Sequence, residues 1–104
     1  MPIKPILREE LENSLRMQAA YERELAKLPK GSLVHREIRG HRYWYLVYRE
    51  GARVRSVYRG KVGREEIRKH RQAKKDRARY RRLLSRVKRQ IRFLRGVLRG
   101  KEPI

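Results

Sequence analysis

The hydrophobic pattern of the last third of the chain restricts its fold more than any other feature. After Gly63 no proline occurs before Arg99, and six apolar residues recur at spacings of 4, 3, 4, 3 and 4. The six are Tyr80, Leu84, Val87, Ile91, Leu94 and Leu98. Heptad spacing of this kind predicts one long helix over residues 64–99, with an apolar seam that needs a partner helix.

A second apolar stripe at helical spacing lies near the amino terminus. Its members are Leu11, Leu15, Gln18, Tyr21, Leu25 and Leu28. The stripe predicts a helix over residues 5–28, which ends where Pro29 and Gly31 interrupt the helical geometry. Acidic side chains near its amino end, such as Glu9 and Glu12, suit the helix dipole.

The hydrophobic period changes to two over residues 33–59, where β-branched and aromatic residues concentrate. Arg39-Gly40 and Glu50-Gly51 are placed where two-residue hairpin loops are expected. The pattern therefore predicts a three-stranded antiparallel meander with strands over 33–38, 41–49 and 52–59.

Together these segments predict an α+β fold in a single domain over residues 1–104. The apolar stripes of the two helices have matching lengths, so we expect an antiparallel pair with Leu28 near Tyr80 and Leu11 near Leu98. An alternative use of the seam from Tyr80 to Leu98 is self-association into a homodimer, because two helices alone make a thin core.

Two-residue loops sort the sheet side chains onto two faces, with Ile38 opposite His41 and Arg49 opposite Ala52. One face carries Val34, Arg36, Ile38, Tyr43, Tyr45, Val47, Val54, Ser56 and Tyr58. The other carries Leu33, His35, Glu37, Arg42, Trp44, Leu46, Tyr48, Arg53, Arg55, Val57 and Arg59. We expect the first face to be the core.

The second face mixes aromatic rings with guanidinium groups, which suits contacts with nucleic acid. Trp44 and Tyr48 beside Arg53 and Arg55 carry this hypothesis. The alternative is that Leu33, Trp44, Leu46 and Val57 form a second small core under a helix. The sequence leaves both open.

Charge points to the class of partner. The chain has 31 Lys and Arg against 11 Asp and Glu, a net charge of +20. Residues 1–28 hold five basic and five acidic side chains (net 0), residues 29–62 nine and two (+7), and residues 63–104 seventeen and four (+13). A helix so rich in cations repels itself unless a polyanion is near, and nucleic acid is the commonest intracellular polyanion.

The residue types argue against catalysis and cofactors. There is no cysteine, and His35, His41 and His70 lack the spacing that places two imidazoles on one helix face. No triad, paired-carboxylate or phosphate-loop motif is present, since Gly60-Lys61-Val62-Gly63 is too short for a Walker motif. We expect no enzyme activity, no metal and no cofactor.

Two resemblances rest on short motifs. Leu28-Pro29-Lys30-Gly31-Ser32, Tyr43-Trp44-Tyr45 and Tyr58-Arg59-Gly60-Lys61 resemble the LPKGS, YxY and YxGK pattern of a family of small uncharacterised prokaryotic basic proteins. Residues 31–75 are also similar to the arm-type DNA-binding domain of tyrosine recombinases. The second resemblance implies that Arg42, Trp44, Arg53 and Arg55 face a DNA groove, although the very long last helix departs from that domain.

These observations predict a non-enzymatic nucleic-acid-binding protein, with DNA favoured over RNA. The candidate binding residues are Arg42, Trp44, Tyr48, Arg53, Arg55, Arg64, Arg68, Arg71, Lys74, Lys75, Arg79 and Arg82. We expect no membrane contact, because the basic stretch 64–79 lacks a bulky apolar face, and a cytoplasmic location, at the nucleoid if the ligand is DNA. The alternative is an accessory subunit that docks on an acidic protein or an RNA-containing assembly.

Overall fold

The computed structural model describes residues 2–100 and confirms the α+β fold. The elements, in chain order, are α1 (Lys4–Lys27), β1 (Ser32–Ile38), β2 (His41–Glu50), β3 (Arg53–Gly60) and α2 (Arg64–Arg99). Predicted bounds agree with these to within one residue, and those of α2 agree at both ends. At its start the Ile67 amide donates to the Gly63 carbonyl, and Glu65 and Glu66 occupy the first turn, where the helix dipole favours negative charge.

The described residues form two compact units. The helical unit contains residues 2–27 and 78–100, and the sheet unit contains residues 28–77. Helix α2 contributes its first part to the sheet unit and its remainder to the helical unit. A single domain over residues 1–104 stays a prediction.

In the helical unit, α1 and the last part of α2 pack as the predicted antiparallel pair. Val87, Ile91 and Leu94 of the heptad seam are buried, each no more than 5% exposed. The Tyr21 and Tyr80 rings meet with their centroids 6.1 Å apart. The seam is therefore buried within one chain, and self-association through it stays a prediction.

Within this pair the ring that contacts Tyr80 is that of Tyr21. Ser14 is 2% exposed, whereas Leu15, which we expected in the stripe, is 37% exposed. Ser14 is thus a buried residue of α1, and its small side chain suits close packing.

Leu28 follows the end of α1 and lines a cavity of the sheet unit together with Leu46 and Ala73. The expected contacts of Leu28 with Tyr80 and of Leu11 with Leu98 stay predictions.

The sheet has the order β1-β2-β3, and both strand pairs are antiparallel. Ile38 pairs with His41 across the Arg39-Gly40 loop, as predicted, and both loop residues have positive φ, 52° and 79°. Positive φ at both positions is typical of a type I′ hairpin turn.

The second hairpin begins one residue later than predicted. Glu50 pairs with Arg53, so the loop is Gly51-Ala52, and Gly51 has a φ of 62°. A glycine at the first loop position is typical of a type II′ turn, which explains the shift. The expected pairing of Arg49 with Ala52 was wrong, and Arg49 pairs with Val54. Because this register differs by two residues, each side chain stays on its predicted face.

The choice of the core face was also wrong. Trp44, on the second face, is 6% exposed, and Ile67 of α2 lines the same two cavities as Trp44. Helix α2 therefore covers this face. We call this the covered face. The other, the open face, leaves Val54 66% and Tyr58 58% exposed. Burial of the Trp44 ring stabilises the fold more than burial of the smaller side chains of the open face. The tyrosines of the open face also keep their hydroxyl groups in water.

Candidate nucleic-acid interface

A groove in the sheet unit brings together half of the predicted binding residues. It has a volume of about 430 Å³ and lies between the start of β2 and the first turns of α2. Its lining is Arg42, Trp44, Arg64, Ile67, Arg68, Arg71, Gln72 and Lys75. We call this the cationic groove, because five of these eight side chains are cations.

Helical and strand geometry together place these cations. Arg64, Arg68, Arg71 and Lys75 follow one another at spacings of 4, 3 and 4 on α2, so they form one stripe along the helix. Arg42 lies on the covered face of β2, two residues before Trp44, and reaches the same groove from the sheet. The side chains of Trp44 and Ile67 form the apolar part of the groove lining.

The charges of the cationic groove are almost uncompensated. No carboxylate lines it, and all five cations are exposed. Among residues 2–100, only Arg68 of the five forms an ion pair, with Glu65 at 3.4 Å. Both partners of that pair are exposed, 76% and 90%, so water screens it and it fixes Arg68 weakly. The groove is a concentration of positive charge with guanidinium donors directed to solvent.

The remaining predicted residues lie elsewhere. Lys74 is on another side of α2, where it lines a cavity of about 220 Å³ with Leu33 and His35. Tyr48, Arg53 and Arg55 share a depression of about 470 Å³ beside the second hairpin.

Two of the predicted residues outside the cationic groove, Arg55 and Arg79, already contact other side chains. Arg55 forms an ion pair with Glu50, with 2.9 Å between the Arg55 Nε and the Glu50 Oε2. Arg79 and Arg82 are exposed on α2 in the helical unit, and the Arg79 guanidinium lies 5.7 Å from the centre of the Tyr80 ring.

Trp44 is packed inside the sheet unit and is not exposed to solvent. Its ring lies 4.8 Å from the His35 ring, and α2 covers it. The expectation of an open face bearing Trp44 is therefore wrong, and the alternative of a second small core under a helix describes Leu33, Trp44 and Leu46. Val57, the fourth residue of that alternative core, is 43% exposed.

The open face holds aromatic residues that we had assigned to the core. Ile38, Tyr43, Tyr45 and Tyr58 line a shallow depression of about 470 Å³. The tyrosine hydroxyls could have indicated that this face is exposed. A buried tyrosine needs a hydrogen-bond partner for its hydroxyl, whereas an exposed tyrosine can use water.

A larger cavity of the sheet unit, of about 1030 Å³, is lined by charges of both signs. Glu65, Glu66 and Asp76 line it along with cations, and Glu66 pairs with Arg59 at 3.8 Å. His70 Nδ1 is buried there without a hydrogen-bond partner. The mixed charge makes this cavity a poorer phosphate site than the cationic groove.

No group of three or more His, Cys, Asp or Glu side chains among residues 2–100 is placed to hold a metal ion. None of the helices in the same range combines the length and the hydropathy needed to cross a bilayer.

Comparison with known proteins gives one match. A family model described as a domain of unknown function, DUF6788, matches residues 7–69, which is more than half of the chain. The matched segment covers most of α1, the whole sheet and the first turns of α2, including Arg42, Arg64 and Arg68 of the cationic groove. No curated protein and no solved structure matches the chain.

Proposed function

We propose that this chain, which belongs to the DUF6788 family, is a non-enzymatic nucleic-acid-binding protein that holds the phosphate backbone in its cationic groove. The observation that supports the proposal is the convergence of Arg42, Arg64, Arg68, Arg71 and Lys75 on one groove without a lining carboxylate. A backbone with one charge per nucleotide is the ligand that such a groove complements.

Arginine chemistry supports the same proposal. Four of the five groove cations are arginines, whose planar guanidinium groups form forked hydrogen bonds with phosphate oxygens. The net charge of +20 adds long-range attraction that speeds the encounter with a polyanion. In this proposal Lys74, Arg79 and Arg82 add further phosphate contacts outside the groove.

We favour DNA over RNA on the resemblance of residues 31–75 to an arm-type DNA-binding domain. The proposed location follows from this ligand and is the cytoplasm, at the nucleoid. Arg42, Trp44, Arg53 and Arg55, which that resemblance directs into a DNA groove, all lie on the covered face. Of these four, only Arg42 keeps its role in our proposal.

A charge-matched pair of variants tests the proposal. In the groove variant, glutamine replaces Arg42, Arg64, Arg68, Arg71 and Lys75; in the control, it replaces five exposed cations of the helical unit, Arg86, Lys88, Arg89, Arg92 and Arg95. Both lose the same net charge. Binding to duplex DNA, duplex RNA and single strands is measured by fluorescence anisotropy over a salt series.

We expect the groove variant to lose more affinity than the control. Its slope of log K against log salt should flatten by roughly 0.9 for each lost contact with a duplex-DNA phosphate. Equal losses in the two variants would show that diffuse charge, and not the groove, binds nucleic acid. Tight retention of an acidic protein at high salt, without nucleic-acid affinity, would instead identify an accessory subunit.

A further inference from the structure

The open face of the sheet exposes more apolar surface than a solvated sheet face requires. Val34 is 45% exposed, Ile38 49%, Val54 66% and Tyr58 58%. These side chains lie on the face opposite the one that α2 covers. A contiguous exposed patch of this kind on a small protein usually marks a binding surface.

The rings of the open face form a platform. Tyr45 and Tyr58 are paired across β2 and β3, and their centroids lie 5.3 Å apart. The Arg36 guanidinium lies 5.8 Å from the centre of the Tyr45 ring, on the neighbouring strand β1. Tyr43 continues the platform towards Ile38. Three adjacent strands therefore present rings and a guanidinium plane side by side.

The charge of the open face is positive only. Arg36 and Arg49 belong to this face by the register of the strands, and no Asp or Glu does. The two acidic residues of the strands, Glu37 and Glu50, lie on the covered face, where Glu50 is paired with Arg55. An occupant of the open face must therefore combine flat apolar groups with negative charge.

This charge pattern argues against a second copy of the chain as the occupant. Two open faces brought together would bury Arg36 and Arg49 of both copies with no carboxylate on either face to neutralise them. Unpaired buried cations are costly, so self-pairing through this face is disfavoured.

We infer that the open face binds unpaired bases of a nucleic-acid strand by stacking them on Tyr45 and Tyr58, while Arg36 and Arg49 contact the adjoining phosphates. The inference rests on the proposed function but concerns a different surface and a different part of the ligand. The cationic groove contacts phosphates and is indifferent to bases, whereas the open face distinguishes a strand with bases from one without.

The test compares a short oligothymidine with an abasic strand of the same length, which keeps the phosphates and lacks the bases. We expect the unmodified chain to bind oligothymidine more tightly, by roughly 5- to 150-fold for each stacked base. The variant Tyr45→Val with Tyr58→Val should lose this preference and keep its affinity for the abasic strand. The matched control, Tyr45→Phe with Tyr58→Phe, keeps both rings and should retain the preference.

The outcomes separate the two proposals. Equal binding of the two strands by the unmodified chain, or a preference retained by the valine variant, would overturn the stacking inference and leave the groove unaffected. Undiminished abasic binding by the groove variant would overturn the proposed function. If the valine variant does not fold, two experiments replace it. These are the same binding comparison with Tyr58→Val alone, and photocrosslinking of a bromouracil strand to the unmodified chain. Crosslinks confined to the helical unit would contradict the inference.

Discussion

The Arg77 Nη2 donates a hydrogen bond of 2.6 Å to the carbonyl oxygen of Pro29, across 48 positions of sequence. Arg77 is thus one basic residue of α2 whose role is structural. The contact ties the segment after α1 to α2 within the sheet unit, and it is partly buried. A charged donor on a partly buried carbonyl stabilises more than a hydrogen bond between neutral groups at the surface.

We predict that Arg77→Gln lowers the free energy of unfolding by about 1 to 3 kcal/mol, because the Pro29 carbonyl loses its donor. Urea unfolding followed by circular dichroism measures the change. Arg81→Gln, at an exposed position one turn further along α2, is the control and should change stability by less than about 0.5 kcal/mol. Similar losses in both variants would mean that the contact with Pro29 contributes nothing specific.

Gly31 is predicted to tolerate no side chain. Its φ is 85°, and a Cβ there would lie 2.7 Å from the Val47 carbonyl oxygen. Gly40 has a similar φ of 79°, but a Cβ at that position would meet nothing within 4 Å. Gly31→Ala therefore combines backbone strain with a clash against backbone, and Gly40→Ala has the strain alone, which costs about 1 to 3 kcal/mol.

Thermal melting of the two alanine variants separates these effects. We expect Gly31→Ala to melt at a clearly lower temperature than Gly40→Ala. Equal melting temperatures would show that β2 moves away from residue 31 without cost. The comparison also gives a physical reason for the glycine in the Leu28-Pro29-Lys30-Gly31-Ser32 motif.

Local patterns were sufficient to predict the elements of this chain, and pairings between distant segments were not. The bounds of α2 and the loop Arg39-Gly40 follow from nearby glycines and from periodicity. The contact of Tyr21 with Tyr80 and the burial of Ser14 depend on how two helices meet, which the length of an apolar stripe does not encode. Period two assigned each strand residue to a face, but which face α2 covers depends on where that helix packs.

The candidate site was likewise predictable where it depends on local spacing and not where it depends on the packing of distant segments. The spacing of Arg64, Arg68, Arg71 and Lys75 is readable from sequence as one helix stripe. That Arg42 joins them, and that Lys74 does not, depends on the placement of α2 over β2. The open-face tyrosines were missed because an alternating apolar pattern identifies two faces without saying which one meets water.

Ser14 is predicted to be the least replaceable residue of the helix pair. It is 2% exposed, so Ser14→Leu would force a large side chain into a packed position at a cost of about 1 to 3 kcal/mol. Ser85→Leu, at an exposed position of α2, is the matched control and should be close to neutral. Denaturant unfolding checks both variants. A Ser14→Leu protein as stable as the unmodified chain would contradict close packing around Ser14.

The last prediction concerns Trp44. Its replacement should lower the stability of the fold and leave the affinity for nucleic acid nearly unchanged. Trp44→Ala removes the largest side chain of the covered face and should cost about 3 to 5 kcal/mol of stability. Nucleic-acid affinity per folded molecule should change little, since the cations of the groove are on α2 and at Arg42.

Fluorescence of the unmodified chain checks this independently, because Trp44 is the only tryptophan. A ring that is 6% exposed should emit at short wavelength and should not be quenched by stacking when nucleic acid is added. Red-shifted emission that nucleic acid quenches would place the ring in the binding surface. In that case the base-stacking platform would belong to the covered face, and the roles of Trp44 and the open-face tyrosines would be exchanged.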